Sequence, residues 1–142
     1  AAVRGADHRY RRSWEAAEAL LAAPRDEVVL HGDVHHDNVL DFGERGWLAI
    51  DPKCAVGERG YDYANLLTNP DLPTAADPAR FARQLDVVVA ESGVPRERLL
   101  RWVLAFAGLS AAWFDEDGET EERDRDFAVA DLAAAHLLEA AS

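Results

Sequence analysis

An abrupt change of hydrophobic period near residue 28 constrains the fold more than any other feature of the chain. Helical spacing predicts a helix over residues 7–23, whereas residues 28–30, 38–42 and 47–50 have the composition of short β-strands. From Gly60 onward the apolar residues recur at helical spacing again. We therefore expect an α+β fold that is mostly helical, in which all 142 residues form a single domain around a small β-hairpin.

The apolar positions predict a buried face for each helix. Those of the first helix, which Asp7 can cap, are Tyr10, Trp14, Ala17 and Leu21. Later helices are expected over residues 61–68, from Asp77-Pro78 to Gly93, from Pro95 to about Phe114, and around Phe127, Leu132 and Leu138. Apolar residues cover most sides of the helix that begins at Pro95, as far as Leu109 and Trp113, so we expect it to be central and buried.

A polar run over residues 31–38, between the first two strands, carries the candidate chemistry. Asp33 and Asn38 are five residues apart in His-Gly-Asp-x-x-x-x-Asn, which is the spacing of the kinase catalytic loop with glycine in place of arginine. An ionised carboxylate can accept the proton of a substrate hydroxyl that attacks phosphorus, so Asp33 is the candidate base. The amide oxygen of Asn38 suits Mg²⁺, which prefers oxygen ligands.

A second magnesium ligand is predicted from the register of the hairpin. A four-residue turn over residues 43–46 places Asn38 directly opposite Asp51, about 5 Å apart between Cα atoms. Asp41 lies three residues after Asn38, on the opposite face of its strand, and is rejected as a ligand. The sequence therefore predicts a magnesium site formed by Asn38 and Asp51.

Three runs, LHGDVHHDNVL, GWLAIDPK and GERGYDYANLL, together resemble the aminoglycoside phosphotransferase superfamily over residues 28–70. The resemblance is strongest to its streptomycin 6-kinase and hydroxyurea-resistance kinase branch. It implies a protein-kinase-like C-terminal lobe that uses ATP and Mg²⁺ to phosphorylate a hydroxyl of a small cationic molecule, such as streptomycin, and so confers antibiotic resistance. It also implies that Asp33 is the base, that Asn38 and Asp51 are the metal ligands, and that the loop is supported by His31, Gly32, His35 and Asp62.

The chain departs from this family before its first predicted helix. Family members carry an N-terminal lobe with a glycine-bearing sheet and a lysine that holds the α- and β-phosphates of ATP. No such segment is found here, methionine is absent, and the only lysine, Lys53, follows Asp51. We therefore expect a C-terminal half of a kinase, whose partner is the missing N-terminal lobe and whose ATP site is incomplete without it.

The charge of the chain bears on its partners. The formal net charge of −12 disfavours nucleic acid and anionic membranes, and it is explained either by an acidic surface that keeps the protein in solution or by a polycationic substrate. An acidic loop is expected over residues 115–122, beside Trp113 and Phe114, and its candidate substrate carboxylates are Asp115, Glu116, Asp117 and Glu119. A solvated charge run is the alternative interpretation. A single cysteine, Cys54, with no secretion signal or apolar run of membrane-spanning length, indicates a cytoplasmic protein.

Other functions fit parts of the same pattern. Gly32-Asp33-Val34-His35 also resembles the start of a two-metal phosphoesterase site, but the further Gly-Asp-x-x-Asp and Gly-Asn-His ligand clusters do not follow. A non-catalytic lobe that only binds a cation or a partner is a second alternative. Within the kinase hypothesis, hydroxyurea, choline-like molecules and amino sugars stay open as substrates.

Overall fold

A computed structural model describes residues 8–141, and within this range the chain forms six α-helices and four short β-strands. The helices are α1 (His8–Ala22), α2 (Gly60–Leu67), α3 (Leu72–Ala75), α4 (Pro78–Ser92), α5 (Arg96–Asp117) and α6 (Thr120–Ala140). The strands are β1 (Glu27–Leu30), β2 (Val39–Asp41), β3 (Trp47–Ala49) and β4 (Ala55–Glu58). The predicted α+β class with a mostly helical body is confirmed. No described helix is both long enough and apolar enough to cross a membrane.

Two separate antiparallel strand pairs flank the polar run. β2 pairs with β3, as the hairpin prediction requires, and β1 pairs with β4, which the sequence did not predict. The second pairing is extended by the Lys53 backbone N–H, which donates to the His31 carbonyl over 2.7 Å. The polar run therefore begins at the end of one two-stranded sheet and ends at the start of the other.

The predicted hairpin register is wrong by one residue. The Phe42 N–H donates to the Gly46 carbonyl over 2.9 Å, so only three residues lie in the turn, and Gly46 accepts a φ of 74° to close it. Asn38 consequently faces Ile50, whose N–H donates to the Asn38 carbonyl over 2.9 Å. Asp51 lies one residue beyond this pair, where the chain leaves the strand with a φ of 57°.

α5 is the central helix of the body and packs against α1, α2 and α6. Its N-terminal half is buried as predicted, with Leu99, Leu100 and Val103 fully inside. The prediction is wrong for Leu109 and Trp113, which are largely exposed.

α1 buries a different face from the predicted one. Ser13, Ala16 and Leu20 are buried, whereas Trp14 is 65% exposed and Leu21 is 70% exposed. The reason is a close approach between α1 and α5, where a Cβ added to Gly108 would clash with the Ser13 side chain. Asp7, the predicted cap, lies outside the described residues.

The ends of α4 were predicted correctly from the sequence, and the end of α5 was not. Asp77 caps α4, since its carboxylate accepts from the Arg80 N–H over 2.6 Å, and Gly93 ends it with a φ of 71°, both as predicted. The predicted acidic loop is wrong, because α5 continues through Asp117 and α6 starts at Thr120. α5 extends to Asp117 because alanine favours a helix and acidic residues are tolerated in one, and it ends at Gly118.

Candidate active site

The start of the polar run is held by a carboxylate from α2. Asp62 accepts from the backbone N–H groups of His31 and Gly32, each over 2.8 Å, through its two different oxygens. Gly32 has a φ of 82°, and a Cβ added there would lie 3.1 Å from the Lys53 Cβ. A residue with a side chain would therefore be strained and crowded at the position that the Asp62 carboxylate fixes.

The His31 ring connects the loop to the end of β3. Its Nε2 lies 2.6 Å from the Ile50 carbonyl oxygen, and its Nδ1 lies 3.3 Å from the Asp33 backbone nitrogen. Because a carbonyl can only accept, Nε2 carries the proton, and Nδ1 accepts from the Asp33 N–H. The ring thus fixes the backbone of Asp33 relative to the hairpin.

The Asn38 side chain is 8% exposed and is oriented by two contacts of its amide nitrogen. Nδ2 donates to the Asp33 carbonyl over 2.9 Å and lies 3.0 Å from His35 Nε2. The same His35 Nε2 lies 3.7 Å from the Asp33 Oδ2, so this ring contacts both the amide and the carboxylate. Among residues 8–141, the Asn38 Oδ1 has no hydrogen-bond donor, so this oxygen is free to meet a hard cation.

Asp33 and Asp51 are brought together by Lys53. Its Nζ lies 3.1 Å from the Asp51 Oδ2 and 3.6 Å from the Asp33 Oδ2. The hydrogen bond and the charge of Asp51, followed by the charge of Asp33, raise the pKa of Lys53, so it is cationic at neutral pH. The two carboxylates predicted as base and metal ligand therefore share one ammonium group, although the hairpin register is not the one that predicted it.

The oxygen donors of Asn38 and Asp51 fit Mg²⁺ by their chemistry. Within the described part of the chain, no group of three or more histidine, cysteine, aspartate or glutamate residues is arranged to hold a metal. Asn38 and Asp51 would therefore need further oxygens from a bound substrate, which is the usual situation for magnesium. Asp41 is occupied elsewhere, because its carboxylate accepts from the Gly43 N–H in the turn over 2.8 Å.

Two residues that sequence reasoning missed connect the site to the core. Glu58, at the end of β4, is buried and accepts from Trp102 Nε1 over 2.8 Å and from Arg98 Nε over 2.6 Å. Burial alone would raise the pKa of Glu58, but hydrogen bonds from Arg98 and Trp102 outweigh it and lower the pKa. Tyr61 makes edge contacts with Trp102 and Phe106 of α5. A glutamate directly before Arg59-Gly60 was the only sequence signal for the first of these contacts.

Behind the loop lies an open groove of about 290 Å³ between β1 and α2, and it reaches Val34, the neighbour of Asp33. Its lining is formed by Val28, Val34, Arg59, Asp62, Tyr63 and Leu66. Burial raises the pKa of Tyr61, which lies beside this region, and the charges of Asp62 and Asp33 add to the shift.

The predicted substrate carboxylates lie at the junction of α5 and α6. Asp115 forms an ion pair with Arg123 of α6 over 2.7 Å, which offsets part of the acidic charge. Phe106, which touches Tyr61, precedes Asp115 by nine residues, or about 14 Å along the helix axis. Glu116, Asp117 and Glu119 are exposed near the same junction. Contact between these carboxylates and a substrate stays a prediction.

Comparison with known proteins gives a consistent group of relatives. Residues 1–118 match the family model described as aminoglycoside/hydroxyurea antibiotic resistance kinase. The chain is 60% identical over 107 residues to streptomycin 3''-kinase of Klebsiella pneumoniae, which covers 72% of this chain and 40% of that protein. It is 35% identical over 126 residues to streptomycin 6-kinase of Streptomyces griseus, covering 87% of this chain and 41% of the relative.

A third relative is named for a different substrate. The hydroxyurea phosphotransferase of Kitasatospora aureofaciens is 34% identical over 126 residues, covering 89% of this chain and 36% of that protein. The chain thus spans about two fifths of the length of the curated relatives that it matches. No solved structure matches the chain.

Proposed function

The chain belongs to the aminoglycoside/hydroxyurea antibiotic resistance kinase family, and from this premise we propose that it supplies the catalytic half of an ATP-dependent streptomycin phosphotransferase. The observation that carries the proposal is the convergence of Asp33 and Asp51 on one ammonium group, with the Asn38 amide hydrogen-bonded to the Asp33 carbonyl. Phosphoryl transfer to a hydroxyl requires a carboxylate that accepts the proton and oxygen ligands that hold the metal.

Asp33 is the proposed base. Its backbone is fixed on both sides, by the His31 ring at the N–H and by the Asn38 amide at the carbonyl. Its carboxylate is partly exposed and accessible to a substrate hydroxyl. As the hydroxyl oxygen bonds to the γ-phosphorus and the bond to the ADP oxygen breaks, the hydroxyl proton passes to the Asp33 carboxylate.

Asn38 and Asp51 are the proposed ligands of Mg²⁺, which would neutralise the charge of the triphosphate. The Asn38 Oδ1 is held in place because its Nδ2 is bound to the Asp33 carbonyl and to His35. This arrangement makes the Asn38 ligand oxygen rigid relative to the base. His31, Gly32 and Asp62 support the same loop from behind.

A separate nucleotide-binding lobe is the proposed partner. The only lysine of the chain is held by Asp33 and Asp51, so it is not available as the lysine that pairs with the α- and β-phosphates. The relatives are also more than twice as long as the part that this chain matches. An exposed free thiol at Cys54 and the use of ATP both suit a cytoplasmic enzyme.

Streptomycin is the proposed substrate because two observations agree on a cationic aminoglycoside. The net charge of −12 attracts polycations, and identity to a streptomycin kinase reaches 60%, against 34% for the hydroxyurea phosphotransferase. The experiment is transfer of ³²P from γ-labelled ATP by the intact protein to streptomycin, with hydroxyurea and choline in parallel. We expect labelled streptomycin, and its loss on chelation of magnesium.

The outcomes of this assay separate the alternatives. Labelling of hydroxyurea alone would replace the substrate and keep the reaction. Binding of streptomycin without labelling of any acceptor, in the presence of the nucleotide-binding lobe, would support the non-catalytic alternative and overturn the proposal.

A further inference from the structure

Lys53 is the residue whose position the proposed reaction does not explain. From its contacts with both carboxylates, we infer that Lys53 is an internal counter-ion that competes with the divalent cation for Asp51 and must release that carboxylate before the metal binds. This inference rests on the proposed metal role of Asp51. It deepens the proposal by adding one step to metal binding, in which Lys53 releases the Asp51 carboxylate.

The backbone around Lys53 explains why its ammonium group reaches the site. Its N–H donates to the His31 carbonyl over 2.7 Å, and its Cβ would lie 3.1 Å from a Cβ at Gly32. Asp51 and Cys54, on either side of the Pro52-Lys53 pair, both have positive φ values. The chain therefore curls tightly here, and the curl directs Lys53 back over the loop.

The contact with Asp51 is the one that a metal must break. The Nζ lies 3.1 Å from the Asp51 Oδ2, and a divalent cation bound to that carboxylate would place two positive charges at close range. Lys53 can leave, because its side chain is half-exposed and an ammonium group on a flexible stem pays little for reorientation. Asp33 is 3.6 Å away and can retain it. Without the metal, Lys53 offsets the repulsion between the two carboxylates.

The first test is metal affinity in the intact protein with a non-hydrolysable ATP analogue, whose phosphate oxygens supply the further ligands that the site needs. Mn²⁺ is the probe, and the readout is the electron paramagnetic resonance signal of the bound ion. Lys53→Met should tighten Mn²⁺ binding by roughly two- to fivefold, which is the range expected from removing the one exposed ion pair that the metal must break. Lys53→Arg keeps the charge and should stay near the wild-type affinity. Arg101→Met is the matched control, since it removes one positive charge and one exposed ion pair on α5.

A second readout uses the fact that Lys53 is the only lysine in the chain. Lysine labelled with ¹³C at Cε then gives one side-chain resonance for residues 1–142, which is identified by its loss in Lys53→Met and reports directly on the ammonium group. Titration with Mg²⁺ in the presence of the same ATP analogue should move this resonance in the wild-type protein and leave it unmoved in Asp51→Asn. Circular dichroism of each variant checks that the fold is kept.

The results distinguish failure of the inference from failure of the metal site. If Asp51→Asn weakens Mn²⁺ binding but Lys53→Met leaves it unchanged or weaker, Asp51 is a ligand and Lys53 is not its competitor. If Lys53→Met and Arg101→Met tighten binding equally, the effect is one of net charge and the inference is wrong. If Asp51→Asn changes nothing, or neither the wild type nor Lys53→Met binds Mn²⁺, the proposed metal role of Asp51 is itself wrong.

Discussion

Asp126 gives a prediction whose size follows from the structure. The residue lies on α6, is only 1% exposed, and its Oδ2 has no hydrogen-bond partner among the described residues. Burial raises the pKa of Asp126 from 3.8 to about 6, although the Ser110 hydroxyl acts in the opposite direction. The folded chain therefore binds this proton more tightly than the unfolded chain does, and ionisation of Asp126 opposes folding.

The shift of roughly two pKa units corresponds to about 3 kcal/mol of unfolding free energy, which is fully present below about pH 4 and is lost as the pH rises through about 6. Between pH 5 and pH 7.5 the loss is about 1.4 kcal/mol. Asp126→Asn removes the ionisation while keeping the shape of the side chain. The variant should therefore be more stable than wild type by up to about 3 kcal/mol at pH 7.5, and its advantage should shrink at pH 5.

Urea unfolding followed by circular dichroism at pH 5, 6 and 7.5 measures these differences. Asp131→Asn is the matched control, because this α6 carboxylate is exposed and pairs with Arg12 over 2.5 Å. Its effect should be small and nearly independent of pH. A stability difference between Asp126→Asn and wild type that does not grow with pH would refute the reasoning, as would a loss of stability at pH 7.5.

Three further substitutions test the frame of the site. Gly60→Ala should lower the unfolding free energy by about 1–3 kcal/mol, because the new Cβ would clash with the Trp102 ring; an unchanged urea midpoint would contradict this packing. Glu58→Gln should lower the unfolding free energy by about 2–4 kcal/mol, because it leaves the largely buried Arg98 guanidinium without its carboxylate, and a neutral effect in the same assay would disprove the pairing. Asp62→Ala should speed hydrogen exchange of the two loop amides that donate to the Asp62 carboxylate. Exchange rates equal to those of wild type would show that other contacts hold the loop.

Local signals were enough to predict what local chemistry decides. The cap at Asp77 and the stop at Gly93 depend on a few adjacent residues, and both are observed. The hairpin itself was predicted from its two apolar strands, but its register depends on which carbonyl accepts the Phe42 N–H. Gly46 accepts from Phe42 and shortens the turn, and either register was compatible with the spacing of polar residues.

Features set by tertiary contact could not be predicted from periodicity. The buried face of α1 is decided by the close approach of Ser13 to Gly108, which favours small residues over the large Trp14. β4 has only four residues and no alternating apolar pattern, so its pairing with β1 carried no sequence signal. The position of Lys53 depends on two left-handed residues in the segment that follows β3.

The central claim is that Asp33 accepts the proton in phosphoryl transfer, and a comparison of two aspartates in the same segment tests it most directly. Asp33→Asn removes the proton acceptor, whereas Asp41→Asn changes a carboxylate that is occupied in the turn. In the intact protein with its nucleotide-binding lobe, kcat for streptomycin phosphorylation should fall by ~10² or more in Asp33→Asn. It should stay within about twofold of wild type in Asp41→Asn. Turnover by a folded Asp33→Asn variant within a few-fold of wild type would contradict the account.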